Sequence, residues 1–137
     1  MTARFQNVPF AVTTMDGRNF TLLKDVYFTD AAGTRYCLPA GATSDGASTP
    51  QPIWNLIPPF GLYWPAAYLH DCAYRNSLLV WNGTAWVRAA LPKAKCDELL
   101  KLAMASLGCN ELECETIYEG VVIGGTSSFD QDRKDNP

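Results

Sequence analysis

The sequence predicts an α+β fold in a single domain, and three observations lead there. β-forming residues alternate with polar ones through positions 19–30. Pro65 and Pro92 each stand where a helix would open. An Asn82-Gly83 pair divides two short β-prone runs between those two prolines. A chain of 137 residues can close one hydrophobic core and is too short for two ordinary ones. Hydrophobic residues at 47% and charged residues at 18% are the composition of a globular protein, not a disordered one.

Taken in order, Phe20, Leu22, Val26, Tyr27 and Phe28 make 19–30 a β segment. Ala31-Ala32-Gly33 then turns the chain into 34–38, so the N-terminal part is expected to form a β-hairpin or small antiparallel sheet. Pro39-Ala40-Gly41 ends it. From 42 to 65 the chain is rich in Gly, Pro, Ser and Thr, yet it also carries Ile53, Trp54, Ile57 and Phe60. That much apolar surface marks a long ordered loop rather than a linker. Pro65 suits the first turn of a helix reaching about Asn76. Within 77–90, Asn82-Gly83 predicts a second hairpin. Pro92 opens a second helix, which Gly108 closes. Asn110 followed by Glu113 reads as a capping box for a third. Its apolar stripe is Cys114, Ile117, Tyr118, Val121 and Val122, and Gly124-Gly125 stops it. One domain is therefore expected over 1–125, followed by a polar C-terminal tail over 126–137.

Bulk properties narrow the function. The net charge is −3 and Lys and Arg are scattered along the chain, so no basic footprint predicts nucleic-acid binding. No apolar run is long enough to span a bilayer. The first seven residues lack the apolar stretch of a signal peptide, which predicts synthesis in the cytoplasm. Five cysteines form an odd set without a CxxC pair, so buried free thiols are expected rather than disulfides. A zinc site of His70, Cys72 and Cys96 is disfavoured, because residues two apart diverge on a helix.

The informative residues are polar ones in apolar positions. His70 is the sole histidine and shares a helix face with Ala66, Ala67, Ala73 and Tyr74. Asp97 falls in line with Leu100, Met104 and Leu107 on the second helix, and a carboxylate in an apolar stripe needs a partner. The intervening hairpin returns the chain antiparallel, which brings Asp97 opposite His70. Such a carboxylate fixes the imidazole tautomer and leaves the other nitrogen as a base, with Tyr74 donating to the same carboxylate. The plainer alternative is a buried network that only stabilises helix packing. Asp71 lies about 100° around the helix from His70 and points to the helix flank. If the loop at 43–50 folds over that flank, Asp45, Gly46 and Ser48 join the site, and Asp71 with Asp45 and loop carbonyls could hold Ca²⁺.

Two resemblances follow from these residues. T-S-D-G-A-S-T-P at 43–50, Trp54, Pro58-Pro59-x-Gly61, Leu69-His70-Asp71-x-x-Tyr74, Asp97 and Ala103-Met104 together resemble a domain-of-unknown-function family common in bacteriophages and prophages. The likeness runs from about Phe20 to Gly124 and implies a viral or prophage source. His70-Asp71-x-x-Tyr74, a hairpin, then Cys96-Asp97 on an antiparallel helix is also similar to the core of secreted phospholipase A2. That likeness implies His70 as the base activating water, Asp71 as a Ca²⁺ ligand, and Tyr74 and Asp97 as the groups holding the histidine. The glycine-rich calcium loop and the disulfide framework of that family are not found here.

Two functions are thus expected as alternatives. One is a Ca²⁺-dependent ester hydrolase acting on host envelope lipid or another envelope polymer. The other is a non-catalytic phage protein, either a virion, tail or assembly component or a host-factor binder. In that case the same polar residues hold the fold, and Trp54, Ile57, Phe60 and Trp64 meet a partner. Both predict a protein made in the host cytoplasm, and the second predicts assembly into a virion.

Overall fold

The computed structural model describes residues 2–6, 12–14, 20–44 and 64–137. Within them the strands are β1 (Arg4–Gln6), β2 (Val12–Thr14), β3 (Phe20–Leu22), β4 (Val26–Thr29), β5 (Arg35–Leu38), β6 (Thr43–Ser44), β7 (Leu79–Trp81) and β8 (Trp86–Arg88). The helices are α1 (Trp64–Tyr74), α2 (Lys93–Ser106), α3 (Glu111–Gly124) and α4 (Thr126–Asp135). One antiparallel sheet has the order β1-β4-β5-β7-β8, and a second has the order β2-β3-β6. This is the expected α+β class.

The segment at 19–30 does not form one strand. Its described part divides into β3 and β4, which belong to different sheets. The break comes at Leu23, which is exposed, and at Asp25, whose Oδ1 accepts from the Ala40 N–H at 2.8 Å. Leu22 bonds Ala42 and Gly41 through its backbone on the other side of that break. The predicted hairpin is β4–β5, with Val26 opposite Leu38 and Thr29 opposite Arg35. Asp30 builds its turn by accepting from the N–H groups of Ala32 and Thr34. β7–β8 is the second predicted hairpin. Its loop spans four residues, and Asn82 Oδ1 accepts from the N–H groups of Thr84 and Ala85.

α2 and α3 end and begin as their sequences dictate. Gly108 takes a positive φ of 96° just past α2, and the Cys109 N–H returns to the Met104 carbonyl. Asn110 caps α3 by accepting from the Glu113 N–H at 2.8 Å. The polar stretch expected after Gly125 is helical over residues 126–135, a fourth helix that the sequence reading did not include. This helix buries no residue fully and docks through single contacts, so it leaves no apolar stripe for a sequence reading to find. Arg133 donates to the carbonyls of Ala73, Tyr74 and Leu91, and Phe129 meets the Tyr74 ring edge-on at 5.2 Å.

The core joins the inner face of the larger sheet to α1, α2 and α3, with Phe28, Leu38, Leu69, Leu99, Met104 and Val121 almost wholly buried. From Pro65 onward α1 is buried along its whole length, and its alanines allow α2 to pack closely. Tyr68 ties α1 to the smaller sheet. Its hydroxyl is shared between the Phe20 and Ala42 carbonyls at 2.8 and 2.6 Å.

Candidate functional site

α1 contributes His70, Asp71 and Tyr74, and α2 contributes Lys93 and Asp97. His70 and Tyr74 are one turn apart on a fully buried face, so both point at α2, and their rings lie 4.0 Å apart between centroids. Asp97 receives them. His70 Nε2 lies 2.8 Å from Asp97 Oδ1, and the Tyr74 hydroxyl donates to the same oxygen at 2.7 Å. The other oxygen, Oδ2, accepts from Lys93 Nζ at 2.7 Å. His70, Tyr74 and Asp97 are each 0% exposed, which is the convergence the helix spacing predicts.

Lys93 is the member that the sequence reading missed. It stands at i−4 from Asp97, a spacing that pairs opposite charges on a helix, and that was the available signal. Its remaining protons go to the carbonyls of Val121 and Val122 at the end of α3, where a cation also complements the helix dipole. One ammonium therefore ties α2 to α3 while balancing the buried carboxylate.

Electrostatics fix the protonation pattern. Burial alone would raise the Asp97 carboxyl, but the hydrogen bonds from His70, Lys93 and Tyr74 outweigh it and hold the group below its ordinary value of 3.8. An ionised carboxylate only accepts, so the proton in the His70 contact sits on Nε2. In the neutral ring this leaves a lone pair on Nδ1. Among the described residues Nδ1 is buried and has no hydrogen-bond partner. Tyr74 is pushed up by burial and by its bond to Asp97, so it stays a phenol and a donor. Burial pushes the Cys72 and Cys96 thiols up to about 12, which makes both poor nucleophiles at neutral pH.

Asp71 is 1% exposed and follows His70 on α1. Asp45, Gly46 and Ser48 lie outside the described residues, as do Trp54, Ile57 and Phe60. Among the described residues no group of three or more His, Cys, Asp or Glu side chains is placed to hold a metal, the His70–Cys72–Cys96 set included. All five cysteines are free thiols, as expected. No described helix is long and apolar enough to cross a membrane.

Comparison with known proteins places the chain without assigning an activity. The uncharacterized protein y4jT of Sinorhizobium fredii (strain NBRC 101917 / NGR234) is 43% identical over 54 residues. That stretch is 38% of this chain and 16% of the relative, so the likeness covers only a small part of the longer protein. No solved structure matches. Residues 20–121 match the family described as "Protein of unknown function (DUF1353)", and His70, Asp71, Tyr74, Lys93 and Asp97 all fall inside that span. Most of the chain is matched, and it belongs to this DUF1353 family.

Proposed function

We propose that this chain is a phage- or prophage-type hydrolase in which His70 is the general base that activates water against an ester of the host envelope. The observation that carries the reading is the state of the imidazole. Asp97 holds Nε2, and Nδ1 is buried without a partner among the described residues. Leaving a buried polar atom unsatisfied costs about 1–3 kcal/mol, and such an atom in a native structure calls for an explanation. A water that gives its proton to Nδ1 as it attacks is one. Asp97 would then stabilise the imidazolium through Nε2–H, and Tyr74 and Lys93 would keep Asp97 in place.

Calcium belongs to this reading on the strength of one described residue. Asp71 offers a buried carboxylate beside the base, and the cation takes about six to eight oxygens. Asp45 would be the second carboxylate. When bound, the ion would supply Lewis-acid polarisation of the ester carbonyl. The described residues provide no fuller ligand set, and the roles of His70, Asp97 and Tyr74 stand without it.

The test uses the single histidine. Wild type and His70→Gln are assayed on phospholipid and short-chain esters with Ca²⁺ and with EGTA. The expected result is turnover by wild type that EGTA reduces, and none by His70→Gln, with melting temperatures within a few degrees. Unfolding of the variant, or no turnover by wild type on any ester, would overturn the reading.

One observation favours a second reading. Lys93 already balances Asp97, and His70, Tyr74 and Asp97 are wholly buried, as the members of a purely structural fastener would be. The protein would then be a non-catalytic virion or assembly component, or a binder of a host factor. Its presence in purified virions, or stable capture of a host protein, would support that.

A further inference from the structure

The arginines that are scattered in sequence are gathered by strand register. Residues directly opposite in antiparallel strands point to the same face of a sheet. In the larger sheet Gln6 faces Tyr27, Tyr27 faces Cys37, Cys37 faces Leu79, and Leu79 faces Arg88. One step along, Arg4 faces Thr29, which faces Arg35, and Trp81 faces Trp86. All of these lie on the side away from Phe28 and Leu38. Among the described residues this outer face therefore carries three arginines and three aromatic rings, and its one carboxylate is that of Asp25 at the rim, near Tyr27 and Cys37, in a chain whose net charge is −3. Its members other than Cys37 are exposed or half-exposed.

The rings form a fixed platform. Trp86 lies 5.4 Å from Trp81 and 5.6 Å from Tyr27, and the Arg35 guanidinium sits over the Trp86 ring at 5.5 Å. Arg35 is thereby held with its planar fork oriented. Arg4 stands two strand spacings away on the same row, which is roughly 10 Å. Thr29 between them and Gln6 beside Tyr27 add neutral hydrogen-bonding groups. Arg88 already donates to the Pro137 carbonyl, and Asp25 at the rim before β4 binds the Ala40 N–H. Among the described residues, the guanidiniums of Arg4 and Arg35 thus remain without a hydrogen bond on this face, Arg35 over the Trp86 ring.

We propose that this outer face docks an acidic polysaccharide, with sugar rings stacking on Trp81, Trp86 and Tyr27 and sparse carboxylates or phosphates meeting Arg4 and Arg35. The magnitudes favour this occupant over a polynucleotide. Tight nucleic-acid binding draws on about six to ten phosphate contacts, and two arginines on an acidic protein supply far less. A bilayer is disfavoured because the tryptophans pack against their neighbours and Leu79, half-buried, is the one aliphatic residue among the described members of the face. The face is separate from His70, so the inference holds whether or not His70 is a base.

The experiment is affinity electrophoresis and calorimetry of the whole chain, without calcium or ester, against polygalacturonate, neutral dextran and oligo(dT). Retardation by polygalacturonate is expected, weaker at high salt, with little by dextran or oligo(dT). Arg4→Gln/Arg35→Gln, a change at exposed positions, is expected to weaken binding at least tenfold with an unchanged melting temperature. Trp81→Ala reports on the platform separately and is expected to weaken binding as well. No binding to polygalacturonate, equal binding to dextran, tighter binding to oligo(dT), or wild-type affinity in the arginine variant would each overturn the proposal.

Discussion

Gly125 rests against the Tyr74 hydroxyl. A β-carbon at position 125 would fall 2.8 Å from that oxygen and 2.5 Å from the Val121 carbonyl. The glycine has an ordinary φ of −90°, so space and not backbone conformation requires it. The same hydroxyl donates to Asp97, which makes Gly125 part of the wall that holds the cluster. Gly125→Ala is expected to destabilise the fold by about 1–3 kcal/mol, the usual range for overpacking. It should also shift the His70 imidazole resonances. Chemical denaturation and ¹⁵N spectra of the one histidine measure both.

The Asp97–Lys93 pair gives a second prediction. Removing one partner of a buried ion pair costs about 3–5 kcal/mol, because the other charge is left without compensation. Asp97→Asn is therefore expected to lower stability steeply. Lys93→Met should do the same, since Lys93 also holds the Val121 and Val122 carbonyls. The double variant should be less destabilised than the sum of the two. A double-mutant cycle by urea denaturation reads the coupling directly.

Acid sensitivity follows from the direction of the Asp97 shift. Its folded carboxyl titrates below the ordinary 3.8, so the unfolded chain binds the proton more readily. The stability it contributes is complete above the unfolded value and is lost as pH falls from about there through the folded one. Unfolding free energies measured from pH 6 downward should decline in that window for wild type. The part of the decline due to Asp97 should be missing from Asp97→Asn.

Arg133 carries the fourth prediction. It stacks on Phe129 at 4.6 Å and bonds carbonyls at the end of α1 and at Leu91, just ahead of α2. Charged hydrogen bonds of this kind contribute about 1.5–3 kcal/mol each in favourable cases. Arg133→Met is expected to release α4, seen as faster amide exchange across 126–135. The strands should exchange at unchanged rates.

Much of this architecture was legible in the sequence because local chemistry agreed with tertiary structure. Asn82-Gly83, Pro92, Gly108 and Asn110 each do in the fold what their side chains or φ preferences dictate. His70, Tyr74 and Asp97 were legible for the opposite reason: they violate the apolar pattern around them, and only a mutual contact resolves that. Lys93 was hidden because a lysine in a first turn reads as solvated surface. α4 was hidden because it docks by Arg133 and Phe129, without a periodic stripe. The split between β3 and β4 was hidden because alternation continues across the break at Leu23, and only pairing with β6 or β5 separates the two. Asp45, Gly46 and Ser48 remain sequence expectations.

The matched family span ends at Val121, the residue whose carbonyl accepts from Lys93. Gly125, Phe129 and Arg133, which press on Tyr74 from outside, all come after it. The polar cluster and the piece of chain that closes over it are thus written in separate stretches of sequence. A change at Gly125, Phe129 or Arg133 would therefore alter how tightly the arrangement is closed while leaving the side chains of His70, Tyr74, Lys93 and Asp97 themselves in place.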